Sequence, residues 1–370
     1  MKEFKQHVLE KIDKTLLTVG DNFPHFTENG SWVITEFGDW TGGFWVGQLL
    51  WAYHYTGKKK YFNSAEKCMI KLESRLDSRT MNFDLGFVFK TSFVEAYQLT
   101  GDEKYCEVAI RAAEKLLTFY HSKSHLLYTI YPERADKLDK TVGSSIVDVM
   151  MNLGLLWWAG VQTGEEKFIE TAIRHANQTA ELFVRSDGST YHVVDFDLAS
   201  GIIVNRGTIH GLNDESTWAR GHAWAINGFI QAYNATGERS FIETVNSLVE
   251  YLFSSSFKDN YFIWDLDMPL DVNTTYDSSS AVIVADGFLH IKENKGFYDS
   301  GKAIISYLLK NFIANDQNHG ILPNCTAYYN DGVGIHEATV WGDYYLLSSI
   351  RHLENKLEPE IFITKESQLA

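Results

Sequence analysis

The sequence predicts an all-α fold, an (α/α)6 barrel of six helical hairpins with long loops rimming one mouth, formed by residues 1–370 as one domain. Three observations carry that prediction: four copies of a Thr-Gly spacing, long insertions between them, and a helix at each end of the chain without a hairpin partner of its own.

The first helix is expected over about residues 3–19, where MKEFKQHVLEKIDK sets apolar residues at helical spacing among charges. The four copies follow as YHYTGKKKYF, YQLTGDEKYC, GVQTGEEKFI and YNATGERSFI. Each ends an amphipathic run at Thr-Gly (Gly57, Gly101, Gly164, Gly237) and sets an aromatic residue a turn later, namely Tyr61, Tyr105, Phe168 and Phe241. A glycine that takes the left-handed conformation stops a helix, and the aromatic packs back on the turn from the next, antiparallel helix. A degenerate fifth copy is read in HIKENKGFYDSGKAI, with Gly296-Phe297 in place of the motif. The last helix, about residues 340–356, pairs with the first to make a sixth hairpin and close the ring.

Unequal intervals between the glycines exclude a fixed-period solenoid. Insertions fall near 75–83, 121–143, 185–216, 255–275 and 313–335, and all five prolines (Pro24, Pro132, Pro269, Pro323, Pro359) lie outside the predicted helices. Short turns therefore mark one end of the barrel and long loops the other, where sites are usually built. The small- and aromatic-rich segments (TGGFWVGQLLWAY, LGFVFKTSFVEAY, SIVDVMMNLGLLWWAG, TWARGHAWAINGFIQAY) are assigned to the inner layer, and the helices with a Lys/Glu face to the outer one.

With 48 acidic against 33 basic residues the chain carries a formal charge of −15. No basic run tracks a phosphate backbone, so nucleic acid is excluded as a partner. The most apolar run, near Val149–Gly160, falls short of the ~20 residues of a membrane span. The N-terminus has no continuous apolar core of a signal peptide, and Cys68, Cys106 and Cys325 have no paired or metal-binding spacing. A cytoplasmic protein with reduced thiols is expected.

Within SSIVDVMMNLGLLWWAG, Asp148 is the one carboxylate of a run that otherwise reads as a buried apolar helix. An ionised carboxylate there costs several kcal/mol unless paired. Asp84, between Phe83 and Leu85, is in a similar position. Two carboxyls in a partly apolar cleft suit general acid–base work, because desolvation and mutual repulsion keep one protonated near neutrality. Asp148 is read as that uncharged acid, a turn inside its helix, with Asn152 as its partner one turn on.

Around these two, the starts of the inner helices bring Trp40, Trp218, Arg220, Trp224, Trp341 and Tyr344 to one end. Indole and phenol faces flanked by carboxylates and an arginine suit a sugar. Blander readings stand beside this one: Asp39, Asp214 and Asp277 as helix N-caps, Trp157 and Trp158 as core, Trp40, Trp218 and Trp224 as packing. For His192, His210 and His222 a metal is the other reading, but no HExxH or comparable spacing supports it.

NFPH (22–25), DWTGGFWVGQLLW (39–51), DLGFVF (84–89), the run from Asp148 to Gly160, DGSTYH (187–192), STWARGHAW (216–224) and VWGDYYLL (340–347) together resemble the unsaturated glucuronyl hydrolases, bacterial enzymes of glycoside hydrolase family 88. The resemblance implies an (α/α)6 barrel that hydrates the C4=C5 vinyl ether of Δ4,5-unsaturated uronic acids ending disaccharides left by polysaccharide lyases. It implies a small unsaturated oligosaccharide as partner and no metal or organic cofactor. By position it makes Asp148 the acid/base and Asp84 the second essential carboxylate. His192, Arg220 and Trp224 fall on sugar-contacting positions, Trp40 on a stacking tryptophan, and His210 where relatives have Gln. Tyr131 replaces a loop tryptophan. NCTAYYNDGVGIHEATVW lacks the Ser/Lys stretch of relatives that prefer sulfated units, so sulfate selectivity is not expected. The alternatives are an unsaturated rhamnogalacturonyl hydrolase and a non-catalytic sugar-binding helical protein. Oligomeric state is not addressed by the sequence.

Overall fold

The computed structural model describes residues 2–77, 82–130, 141–255, 262–271, 274–291, 294–313 and 318–354. Tyr131 lies outside the described residues. Twelve helices run through the described chain: α1 (Lys2–Val19), α2 (Gly42–Thr56), α3 (Lys59–Arg75), α4 (π-helical over Gly86–Val94, α-helical over Glu95–Thr100), α5 (Glu103–Leu117), α6 (Val149–Thr163), α7 (Glu166–Leu182), α8 (Ala219–Thr236), α9 (Arg239–Ser254), α10 (Ser278–His290), α11 (Lys295–Asn311) and α12 (Val340–Leu353). The even-numbered helices form a ring: α2 packs on α4, α4 on α6, α6 on α8, α8 on α10, α10 on α12, and α12 returns to α2. The predicted barrel is therefore closed, with one apolar core running through it.

The hairpin turns owe their shape to both residues of the Thr-Gly pair. Gly57, Gly101, Gly164 and Gly237 all adopt φ between 67° and 71° and end their helices in the left-handed conformation. The preceding threonine hydroxyl donates to the carbonyl four residues back (2.7–2.8 Å) and accepts the N–H two residues on (3.1–3.2 Å). One side chain thus satisfies a helix-end carbonyl and the first amide of the turn. Tyr61, Tyr105, Phe168 and Phe241 are buried, the Tyr105 ring 6.3 Å from that of Phe93 in α4 and the Phe241 ring 6.1 Å from that of Phe229 in α8.

The fifth hairpin differs from the expectation. Gly296 does not end α10; it lies in the first turn of α11, where Asn294 caps the helix by accepting from the Gly296 and Phe297 amides. Phe297 still packs back, its ring parallel to that of Phe288 at 4.9 Å. In the sixth unit α1 packs mainly on α2, β1 and β2, and Lys5 forms an ion pair with Glu354 (2.5 Å) at the end of α12.

Among the described residues, three of the five predicted insertions and the segment between α1 and α2 hold four small antiparallel sheets: β1 (Phe23–Glu28) with β2 (Ser31–Thr35), β3 (Tyr120–His121) with β4 (Leu126–Leu127), β5 (Val142–Ile146) with β6 (Val193–Asp197) and β7 (Ile203–Gly207), and β8 (Cys325–Tyr328) with β9 (Val333–Glu337). Each precedes the N-terminus of an inner helix, so the sheets build the mouth. These strands are too short to show their alternation above the helical pattern.

Candidate active site

Strand register places the central pair of the site. β5 and β6 pair with Ile146 opposite Val193, and the ladder is extended by a bond from the Val147 amide to the His192 carbonyl (2.9 Å). Asp148 leaves one strand and His192 enters the other at the same end of the sheet. Asp148 is not a turn inside its helix, as the apolar run suggested; Ser144–Ile146 is strand, and Asp148 stands immediately before α6. Its carboxyl does not cap that helix. The residue is 8 % exposed, and Oδ2 has no hydrogen-bond partner, with His192 Nε2 3.5 Å away.

The His192 ring is held in one tautomer. Its Nδ1 accepts the backbone amides of Ile209 (3.1 Å) and His210 (3.3 Å), so the ring proton sits on Nε2, facing Asp148. The loop after β7 supplies those amides because Gly207 pairs with Val193 and its carbonyl accepts from the His192 amide. His210 stacks on His192 with ring centroids 5.2 Å apart, and Trp218 lies under both, 4.5 and 5.1 Å from them. Burial, with help from His192 and the Arg220 cation, holds His210 well below the ordinary histidine range, so its imidazole is neutral.

Asp84 reaches the same mouth from the start of α4. Asn152, on α6, accepts the Phe87 amide through Oδ1 (2.8 Å) and directs Nδ2 at Asp84 Oδ1 (3.5 Å) and the Asp148 carbonyl (3.4 Å). Asn152 thus serves Asp84 and the main chain of Asp148, not the Asp148 carboxyl as the sequence suggested. Asp84 keeps some contact with the cleft but lies deep. Desolvation pushes its carboxyl up to about 7, the Asp148 charge adds to the rise, and Asn82 and Asn152 oppose it. Burial thus favours the proton-bearing form of the Asp84 carboxyl.

The other wall is aromatic. Trp40 is half-buried, 5.0 Å from Trp341 and 5.6 Å from Phe87, and its Nε1 donates to the Tyr328 hydroxyl (3.1 Å). Tyr328 also meets His25 Nε2 (3.2 Å), whose Nδ1 meets Thr41 Oγ1 (2.8 Å). Burial pushes His25 down to about 4. His25 and Tyr328 were missed as site residues, although NFPH ends on the first and the NCTAYYND loop contains the second.

Two expected sugar contacts are placed elsewhere. Arg220 is 2 % exposed; it pairs with Asp277 (3.0 Å) and donates to the Thr326 (2.5 Å) and Ala327 (2.8 Å) carbonyls of β8. Its guanidinium lies between Trp218 (4.6 Å) and Trp341 (5.0 Å). Its terminal nitrogens therefore hold β8 instead of facing the cleft. Asp277 caps α10, as the bland reading had it. Trp224 is fully buried against Phe87 (5.1 Å) and Tyr345 (5.3 Å) in the barrel core and offers no open face. His222 is a core histidine whose Nε2 lies 2.9 Å from the Leu248 carbonyl. Among the described residues no three His, Cys, Asp or Glu side chains converge as a metal site.

The family model described as Glycosyl Hydrolase Family 88 matches residues 11–348. The chain belongs to glycosyl hydrolase family 88. It is similar to the unsaturated glucuronyl hydrolase of Bacillus sp. strain GL1, at 30 % identity over 92 % of this chain and 93 % of the relative. It is also similar to the unsaturated chondroitin disaccharide hydrolase of Streptococcus pneumoniae, at 27 % identity over 94 % and 91 %. The crystal structure of the Bacillus sp. GL1 enzyme, described as responsible for the degradation of glycosaminoglycan, superimposes with a TM-score of 0.89 at 29 % identity, covering 96 % of this chain and 97 % of that one. A Streptococcus agalactiae enzyme variant complexed with dGlcA-GalNAc6S superimposes at 0.82 and 26 % identity, over 97 % and 92 %. As a member of family 88 the protein is a glycoside hydrolase, with the α/α-barrel of its relatives.

Proposed function

We propose that this family 88 hydrolase, read as one catalytic domain, removes the Δ4,5-unsaturated glucuronyl residue from disaccharides left by glycosaminoglycan lyases, by hydrating the C4=C5 bond. The observation that carries the reading is the pair of carboxyls at the mouth, Asp84 and Asp148, with an unpaired Asp148 oxygen facing the Nε2–H of His192. The substrate is a vinyl ether, so a proton added to C4 leaves positive charge shared by C5 and the ring oxygen. An incoming uronate brings its own negative charge, which drives a carboxyl beside it toward the proton-bearing form. Asp148 then gives its proton to C4, and the carboxylate left behind stabilises the cation. Water adds at C5 and returns a proton to Asp148, with His192 Nε2–H orienting that carboxyl. The resulting hemiketal opens and the second sugar is released.

Asp84, its carboxyl pushed up to about 7 by burial, repels the anionic ring less than an ordinary carboxylate and, while protonated, offers a hydroxyl proton to the sugar. Trp40 supplies a partly open indole face for the ring's C–H surface, with Tyr328 and His210 beside it. The catalytic assignment is supported by geometry at Asp84, Asp148 and His192, while Arg220 acts by holding Asp277 and β8, and Trp224 by packing. No helix among the described residues is long and apolar enough to cross a membrane. We place the enzyme in the cytoplasm, a reading supported by three buried, unpaired cysteines.

The test follows the ultraviolet absorbance of the conjugated enoate in unsaturated disaccharides from hyaluronan, chondroitin and rhamnogalacturonan. The glucuronyl substrates should lose it. Asp148→Asn should lower turnover by at least ~10³-fold with the fold and substrate binding kept, because the amide retains the shape but has no proton to give. Persistence of the absorbance in all three would overturn the reading.

A further inference from the structure

We infer that Asn152 is a positioning residue of the site, a cap reaching across from α6 that fixes Asp84 at the start of α4. The inference rests on the proposed hydration only where activity is the readout.

The first amides of a helix have no partner within it and need one from outside. At α4 no side chain of its own loop caps the helix. Asn152 supplies the cap from another helix by accepting the Phe87 amide. A backbone N–H is only a donor, so the acceptor end of the Asn152 amide is assigned without ambiguity. The donor end must then face the other way, where Asp84 Oδ1 stands at 3.5 Å and the Asp148 carbonyl at 3.4 Å. Asn152 is completely buried, so this orientation has no competition from solvent. Gly86 makes the approach possible: a Cβ there would lie 2.3 Å from Asn152 Cα and 2.5 Å from its carbonyl oxygen. The π-helical turn of α4 begins at that contact, and such turns recur at functional sites.

A donor aimed at a carboxyl oxygen favours the ionised state and opposes desolvation. Asn152 thereby sets the balance at Asp84 and ties it to the main chain of Asp148.

The experiment titrates the Asp84 carboxyl by carbon NMR in the full-length protein and records kcat/KM against pH, for the wild type, Asn152→Ala and Asn152→Asp. Asn152→Ala should move the Asp84 midpoint upward by about tenfold or more in proton concentration. Asn152→Asp tests the same point without a cavity. Its first oxygen still accepts from Phe87, and while protonated its hydroxyl replaces the amide donor. Near pH 5.5 it should keep kcat/KM within roughly fivefold of wild type, and near pH 8, ionised, it should lose ~30-fold or more. Equal losses at both pH values, or an unmoved Asp84 midpoint in both variants, would overturn the inference. Absence of turnover by the wild type would overturn the proposed function instead, and the titration would still decide the role of Asn152.

Discussion

His192 Nε2 stands 3.5 Å from Asp148 Oδ2, and neither atom has a hydrogen-bond partner among the described residues. The approach is imposed from the backbone: register at the end of β5 and β6 brings the residues together, and two amides on Nδ1 turn the proton of the ring toward the carboxyl. Asn reproduces the Nδ1 acceptor but not the Nε2 donor. His192→Asn should therefore keep the loop and thermal stability near wild type while lowering kcat by about 100–1000-fold, the range of a lost catalytic hydrogen-bond donor. Steady-state kinetics beside a thermal melt checks this. Loss of folding with the kinetics of the folded fraction unchanged would make His192 a structural residue only.

Asp84 and stability form a second prediction. Burial raises its carboxyl from 3.8 to about 7, so the native state binds this proton more tightly than the unfolded chain. Stability linked to it is fully present below about pH 4 and is lost as pH rises through about 7. Asp84→Asn removes that loss. At pH 8 the variant should be more stable than wild type by up to about 4 kcal/mol, and the two should converge near pH 4. Asp343, also pushed up to about 7 by burial, leaves some pH dependence in the variant. Urea unfolding at pH 4.5, 6 and 8 reads the difference, and a variant less stable than wild type at pH 8 would contradict it.

The barrel was legible in the sequence because its turns repeat. Four Thr-Gly copies return the same left-handed glycine and the same threonine bridge, and local chemistry of that kind needs no knowledge of distant residues. The fifth copy was misplaced because Asn294, not Gly296, makes that turn. At the site, Asp84, Asp148, His192, His210 and Trp40 do meet at one mouth. Their roles were harder to read, since the groups that face each carboxyl lie far away in the chain. Asn152 looked like a neighbour of Asp148 by helical spacing, yet its amide is claimed by Phe87, 65 residues earlier. Arg220 was read as a sugar contact, yet Asp277 and β8 take its terminal nitrogens.

That last placement is testable. With Asp277 fully buried, removing Arg220 leaves a carboxylate without its cation and two β8 carbonyls without donors. Arg220→Ala should destabilise by about 3–5 kcal/mol, the usual cost of breaking a buried pair. A double variant, Arg220→Leu with Asp277→Ser, should recover a good part of that stability, because Ser still caps α10 and no charge is stranded. Chemical denaturation of the single and double variants makes the comparison. A fully stable Arg220→Ala whose KM alone rises would restore the arginine as a direct substrate contact.

Gly86 offers a prediction that separates packing from backbone strain. A methyl group at this position meets the backbone of Asn152, which cannot swing aside as a side chain would. α4 must then move off α6, and overpacking of this kind costs about 1–3 kcal/mol. The same shift carries Asp84 away from Asn152, and displacement by about 1 Å is worth roughly 100-fold in rate where positioning matters. Gly57 is the control: nothing lies within 4 Å of a Cβ there, but its φ of +67° is strained for alanine. Gly57→Ala should lose about 1 kcal/mol of stability and keep full activity, since it sits at the turn end of the barrel. Gly86→Ala should lose both stability and turnover. Urea melts and kcat measured at saturating substrate distinguish the two, and an active Gly86→Ala would show that α4 and α6 can part without disturbing the carboxyl pair.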